Sequence, residues 1–87
     1  MTRKIFKYEM SGDLIQAPSG NVRLVAQQFT NQLLPTIWIE HDENDPIAIY
    51  VVHGTGHSIP DDGREHVGSC LCGQFVWHVY RLKGAEQ

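Results

Sequence analysis

The residues best suited to chemistry lie in one glycine-rich stretch, His53-Gly54-Thr55-Gly56-His57-Ser58-Ile59-Pro60-Asp61-Asp62-Gly63. The stretch combines two imidazoles with two carboxylates, and its glycines and proline specify a particular backbone path. Functional side chains are often carried on such loops, because the surrounding scaffold holds them in place. The stretch completes no motif that names a reaction, so we treat its residues as candidates for binding.

The backbone of this loop has two interpretations. The N–H groups around Gly54 and Gly56 could converge on an anion, as they do in backbone nests. The alternative is that both glycines supply positive φ in a bent connection. No phosphate-loop lysine follows and no helix lends its dipole, so the sequence leaves both interpretations open. If the loop is functional, Thr55, His57 and Asp61 are its expected polar contacts.

A metal site is the second candidate, because five possible ligands lie close together along the chain. Zinc takes four nitrogen or sulfur ligands and would stabilise so small a domain. The spacing is unfavourable, since His-x3-His suits a helix, glycines intervene, and structural zinc favours Cys-x2-Cys over Cys-x-Cys. We therefore predict no cofactor, with zinc as the alternative. Its ligands would come from His53, His57, His66, Cys70 and Cys72.

The two cysteines are alternate residues of a predicted strand, so their side chains share one face. Their α-carbons would lie near the upper limit for an unstrained disulfide. We predict that Cys70 and Cys72 are reduced, with at least one packed inside. A catalytic cysteine would need a neighbouring base, and only His66 and His78 are candidates by proximity along the chain.

The elements that must position these residues are strands, because period-two alternation dominates and no convincing amphipathic helix is present. Short strands at roughly ten-residue spacing predict an all-β fold. We expect six to seven strands in a small antiparallel meander, forming a sandwich or a partly open barrel. Residues 1–87 form one domain. The predicted strands span residues 4–10, 14–17, 22–29, 36–41, 47–53, 67–72 and 75–82.

Three packing expectations follow from this alternation. The strand at 47–53 is the most apolar and is predicted to be buried on both faces. In the last strand, Trp77 and His78 point to opposite sides. Five aromatic residues of the predicted strands after residue 35 are expected to form one cluster, either in the core or as an exposed stripe at an interface. The members of this cluster would be Trp38, Tyr50, Phe75, Trp77 and Tyr80.

The formal net charge of −3 argues against binding of nucleic acid through a basic face. The acidic residues 42–46 are typical of a solvated hairpin turn and lack the pattern of a calcium loop. If the terminal strands pair, basic residues near both ends would form a modest patch, namely Arg3, Lys4, Lys7, Arg81 and Lys83. The interpretation we favour for these residues is a solvated edge whose lysines discourage the addition of another strand. No window has the apolar length of a membrane span, and the N-terminus lacks an apolar signal region, so we expect a cytoplasmic protein with no membrane partner.

Five phrases of the chain stand out together, namely Lys4-Ile5-Phe6-Lys7-Tyr8-Glu9, Pro18-Ser19-Gly20, Trp38, His53-Gly54-Thr55-Gly56-His57-Ser58-Ile59-Pro60-Asp61-Asp62 and Phe75-Val76-Trp77-His78-Val79-Tyr80. With these phrases the chain resembles a family of small proteins carried mainly by bacteriophages and prophages, a phage domain of unknown function. The resemblance runs over about residues 3 to 82 and implies a small β-rich fold and a location in the host cytoplasm. It implies no activity, because the function of that family is unassigned.

These observations favour a non-enzymatic binding module, a phage-encoded accessory protein that inhibits or modulates a host protein such as a defence factor. A binder or sponge for a small molecule or nucleotide signal is the alternative, and a metal- or cysteine-dependent hydrolase is the second. A domain this small buries limited surface, so we expect a homodimer. The predicted ligand or partner contacts are His53, Gly54, Thr55, Gly56, His57, Asp61, Asp62, Trp77 and His78.

Overall fold

Seven antiparallel strands make up the fold of the computed structural model, which describes residues 2–82. No helix occurs in this range, and none is therefore long and apolar enough to cross a membrane. The all-β prediction is confirmed, with strand limits close to those expected. The strands are β1 (Lys4–Glu9), β2 (Leu14–Pro18), β3 (Asn21–Ala26), β4 (Thr36–His41), β5 (Ile47–Gly54), β6 (Glu65–Cys72) and β7 (Phe75–Arg81).

The strands form two sheets packed as a sandwich that is not closed into a barrel. The three-stranded sheet has the order β1-β4-β3, and the four-stranded sheet has the order β2-β5-β7-β6. The connectivity differs from that of a simple meander. Only β3–β4 and β6–β7 are neighbours both in sequence and in a sheet, and the chain passes between the sheets after β1, β2 and β4.

The acidic turn after β4 is one of these passages. Asp45 donates its N–H to the carbonyl of Asp42 at 3.3 Å, so the predicted turn is present. It is not a hairpin, because β4 and β5 lie in different sheets. Arg3 contacts this turn, with guanidinium nitrogens 3.5 Å from carboxylate oxygens of Asp42 and Asp45 and 3.3 Å from Glu40.

The predicted terminal basic patch is wrong for the same topological reason. β1 pairs with β4, and β7 pairs with β5 and β6, so the terminal strands do not meet. Arg81 instead contacts Glu65 at 2.6 Å, while Arg3 neutralises the acidic turn. Lys83, the remaining C-terminal member of the predicted patch, lies outside the described residues.

The core lies between the sheets and is built from alternate residues of the central strands. Ile37, Ile39, Tyr50 and Val79 have no exposed surface. Tyr50 satisfies its hydroxyl by donating to the carbonyl of Pro18 at 2.8 Å, which lets a polar tip remain inside. Apolar burial on this scale is the main stabilising contribution to a domain of this size.

Two packing expectations are wrong. β5 is buried on one face only, because its other face is the outside of the sandwich and Ile47 is 64% exposed. The large aromatics do not form one cluster. Tyr50 is in the core, whereas Trp38 alternates with the buried Ile37 and Ile39 and therefore faces outward from the three-stranded sheet. Phe75 and Trp77 remain together, with ring centroids 5.9 Å apart.

The cysteine prediction is confirmed. Cys70 and Cys72 are free thiols whose sulfur atoms lie 3.9 Å apart, and Cys72 is buried. Both point to the inner face of β6, where they are opposite Trp77 and Phe75 of β7. Nearby, Gly68 lies so close to Val25 of the other sheet that any β-carbon there would collide with the valine side chain.

Candidate functional site

The outer face of the four-stranded sheet carries four of the eight histidine and tyrosine side chains of the domain. Register places His53 of β5 opposite His78 of β7, and His78 opposite Ser69 of β6. Tyr80 is likewise opposite His66. Directly opposed residues on neighbouring strands point to the same side of a sheet. We call this surface the histidine face, formed by His53, Thr55, Arg64, His66, Ser69, His78 and Tyr80.

A bulge in β6 assembles this surface. In a regular strand His66 and Ser69, three residues apart, would point to opposite sides of the sheet. The pairing of β6 with β7 shifts between His66 and Gly68, which places one extra residue in β6. The two side chains therefore lie on the same face. Bulges commonly redirect side chains in this way beside functional sites.

Ser69 links two imidazoles. Its Oγ lies 2.8 Å from Nε2 of His66 and 2.7 Å from Nδ1 of His78. The other ring nitrogen of His78, Nε2, lies 3.1 Å from Oγ1 of Thr55. A hydroxyl has one proton, so Ser69 donates to one ring and accepts from an N–H of the other. We call this connected group, Thr55–His78–Ser69–His66, the serine–histidine chain.

His53 is in a different electrical environment. Nη1 of Arg64 lies 3.0 Å from its Nε2. Arginine can only donate, so Nε2 accepts and the ring is neutral, with its proton on Nδ1. Burial lowers the pKa of His53, and the positive charge of Arg64 lowers it further. His53 therefore gains its proton at lower pH than an ordinary histidine does.

Asp62 holds Arg64 in position. Its carboxylate accepts from Nη2 of Arg64 at 2.6 Å and from Nε at 2.8 Å. The hydrogen bond from Arg64 holds the pKa of Asp62 to about 2, so the carboxylate is ionised at all ordinary pH values. The side chain of Arg64 is only 12% exposed, so the pair is a fixed part of the face rather than a loose surface contact.

Tyr80 lies between His53 and His66 on the histidine face. Its ring centroid is 5.6 Å from that of His53 and 5.2 Å from that of His66, in edge-to-face geometry.

Apolar side chains surround the polar centre on the same side of the sheet. Three of them are more than half exposed, namely Leu14 at 52%, Ile47 at 64% and Leu71 at 63%.

The structure divides the predicted contacts between two environments. His53, Thr55 and His78 come together on the histidine face. His57 instead accepts from the N–H of Gly54 at 3.1 Å, and its ring centroid lies 6.5 Å from that of Trp77. His57 is exposed and lies apart from the histidine face.

The glycines of the loop have different roles. Gly56 has φ of 91°, as the bent connection required. Gly54 has no positive φ, so that part of the prediction is wrong. Gly54 is buried, and a β-carbon there would lie 3.0 Å from the ring of His57 and 3.2 Å from that of Trp77. The position therefore leaves little room for a side chain. The N–H of Gly54 is bonded to His57, so it does not belong to an anion nest. Asp61 is exposed in the loop.

The five predicted metal ligands do not meet. His53 and His66 lie on the outer face of the sheet and the cysteines on its inner face, while His57 is in the loop after β5, bonded to the N–H of Gly54. Within residues 2–82, no group of three or more histidine, cysteine or acidic side chains is arranged to hold a metal ion. Burial raises the pKa of the Cys70 thiol to about 12, which leaves it protonated. The two candidate bases, His66 and His78, lie on the opposite face of the sheet.

Sequence reasoning also missed an open recess of about 450 Å³ beside the start of β1. Phe6 and His41 form one wall, with ring centroids 5.4 Å apart, and Nε2 of His41 lies 2.7 Å from the hydroxyl of Tyr8. Lys4 and the acidic turn complete the lining. The recess depends on the pairing of β1 with β4, for which the sequence carries no local signal.

A family model described as "Domain of unknown function (DUF7352)" matches residues 1–87 of the chain. No curated protein and no solved structure matches it. The match agrees with the expectation of an uncharacterised domain family and assigns no activity to the site.

Proposed function

We propose, from the premise that the chain belongs to the DUF7352 family, that it is a protein-binding module whose contact surface is the histidine face. The observation that carries the proposal is the fixed polar network on an exposed sheet face, bordered by exposed apolar side chains. Tyrosine and arginine are favoured anchors at protein interfaces, and an apolar surround excludes water from them.

Preorganisation of the face supports this function. The hydrogen bonds of Ser69 and the ion pair of Arg64 with Asp62 hold the side chains before any partner arrives. Immobilising a flexible side chain at an interface costs about 0.5–1.5 kcal/mol. A face that is already ordered avoids much of this cost, so more of the contact energy appears as affinity.

The shape of the surface favours a macromolecular partner over a small molecule. Small ligands bind in concave sites that enclose most of their surface. The histidine face is the outside of a sheet, which offers an area rather than an enclosure. A small-molecule binder remains the second candidate because of the recess beside Phe6 and His41, whose volume lies in the range typical of ligand sites.

More specifically, we propose that the protein is an accessory factor, encoded by a phage, and that it modulates the host protein it binds. This assignment is supported by the resemblance found in the sequence and by the small size of the domain. Two phrases that carry the resemblance contribute side chains to the histidine face, Thr55 from the glycine-rich loop and His78 from the last strand.

The test is affinity capture from a bacterial lysate with the tagged full chain and two variants. Ser69→Arg places a large charge at the centre of the face, and Ser58→Arg makes the same change at an exposed loop position. We expect a protein that wild type and Ser58→Arg retain in comparable amounts and that Ser69→Arg loses. Thermal unfolding of all three forms checks that the sandwich is intact.

Equal capture by Ser69→Arg and wild type would contradict the proposal, because the centre of the face would then be irrelevant to binding. A dimer that Ser69→Arg dissociates, with no captured protein, would also contradict it. In that case the face joins two copies of this chain.

A further inference from the structure

In the serine–histidine chain, the match between hydrogen-bond donors and acceptors changes when the two histidines gain protons. With both rings neutral, every group between Thr55 and His66 finds a partner, because Ser69 donates to one ring and accepts from the other. The bonds can run in either direction along the chain. The neutral network is therefore satisfied without any external group.

Protonation of both rings removes this balance. An imidazolium carries N–H at both nitrogens, so His66 and His78 would each donate to Ser69. The hydroxyl proton of Ser69 then has no acceptor within the chain. The two positive rings also lie 6.4 Å apart, centroid to centroid, and repel each other. The protonated state needs one acceptor and negative charge at the same place.

The charged and titratable groups around the pair do not supply that charge. From β5, the facing group is the neutral His53, and from β7 it is the hydroxyl-bearing Tyr80. From the loop between β5 and β6 come Arg64 and Asp62, which are paired with each other at 2.6 Å. Glu65, next along β6, is bonded to Arg81 at 2.6 Å. Both neighbouring carboxylates are thus already engaged by arginines.

We propose that His66, Ser69 and His78 form a binding site for an oxyanion, such as a sulfate, phosphate or carboxylate group, when both imidazoles are protonated. One oxygen accepts the hydroxyl proton of Ser69, and the anion offsets the charge of the two rings. Charged hydrogen bonds of this kind are the stronger class in proteins. The site requires no protein partner, so it stands or falls independently of the proposed binding function.

The experiment follows the histidine ring resonances of the full chain by NMR during titration with sodium sulfate, at about pH 6 and about pH 8, where imidazole is largely charged and largely neutral. Sulfate stays a dianion over this range, and sodium chloride keeps the ionic strength constant. We expect saturable shifts of His66 and His78 at the lower pH and no saturable binding at the higher pH, where the doubly protonated pair is scarce. A parallel titration with acetate shows whether carboxylates also bind.

Three variants test the assignment. Ser69→Ala keeps both imidazoles and removes the hydroxyl, so we expect binding about fivefold weaker. His66→Gln removes one charge and should abolish saturation, whereas Ser58→Ala in the exposed loop should bind as wild type does. Shifts that rise linearly with sulfate, that are equal at both pH values, or that persist in His66→Gln would overturn the proposal.

Discussion

The two faces of the β6–β7 hairpin are built from successive residues of the same strands, yet they have opposite character. On the inner face, Val79 and Cys72 are buried among apolar neighbours. On the outer face, Ser69, His78 and Tyr80 are at least partly exposed and contact other polar or aromatic side chains. If the outer face is the contact surface that we propose, stability and recognition are carried by alternate residues, and each can be changed without the other.

The strongest test of this separation is a matched pair of truncations at adjacent positions of β7. Val79→Ala removes two methyl groups from a fully buried site, so we expect the free energy of unfolding to fall by about 2–3 kcal/mol. His78→Ala on the outer face should change it by less than about 1 kcal/mol. Urea denaturation measures both. Similar losses in the two variants would show that the outer network is part of the stabilising structure.

A smaller effect is expected from His53, which lies where the polar face meets the protein interior. Burial, and then Arg64, lower the pKa of His53 in the folded protein, so the unfolded chain takes up its proton more readily. Its contribution to stability is complete above the ordinary histidine pKa of about 6.5 and is lost as the pH falls below it towards the folded pKa.

The urea midpoint of wild type should therefore drop between about pH 7.5 and pH 5, and that of His53→Gln should drop less. Both proteins share the titration of every other group, so the difference in slope reports His53. Parallel slopes would mean that this imidazole titrates alike in the folded and unfolded chains.

The smallest expected response is that of the inner-face thiols to alkylation. Cys72 is buried out of reach of the reagent, and burial raises the pKa of Cys70 to about 12, which leaves that thiol protonated. Iodoacetamide at about pH 8 should leave the native chain unmodified and should label both cysteines in denaturant. Rapid labelling of the native protein, followed by mass spectrometry, would restore a cysteine nucleophile as a candidate.

The strands themselves were predictable, because alternation of side chains is a local property. The predicted segments at 36–41 and 47–53 coincide closely with β4 and β5, and the opposed directions of Trp77 and His78 are confirmed. Pairing was not predictable. β1 joins β4 across about thirty intervening residues, and only the complete sandwich makes that pairing favourable.

The sequence named only some residues of the histidine face, because that face also depends on non-local pairing. His53, Thr55 and His78 were named from a conspicuous loop and strand, whereas Ser69, Arg64 and Tyr80 were missed. Strict alternation separates Ser69 from His66, and only the bulge brings them together. A glycine at position 68, inside an otherwise regular strand, was the one local signal of such a bulge.

The passage of the chain between the sheets after β1, β2 and β4 has a consequence for how the protein is made. During synthesis β1 emerges first, but its partner β4 follows only after two further strands, and β5 waits for β7. The strands of the three-stranded sheet all lie within residues 4–41, but the sheet that covers its inner face needs β5, β6 and β7 from the second half of the chain. Because ordering the chain for such non-local pairs costs entropy before the contacts form, topologies of this kind fold in milliseconds to seconds rather than microseconds. We therefore expect the first four strands to lack a stable core during synthesis, and the domain to fold in a single step once β7 is available.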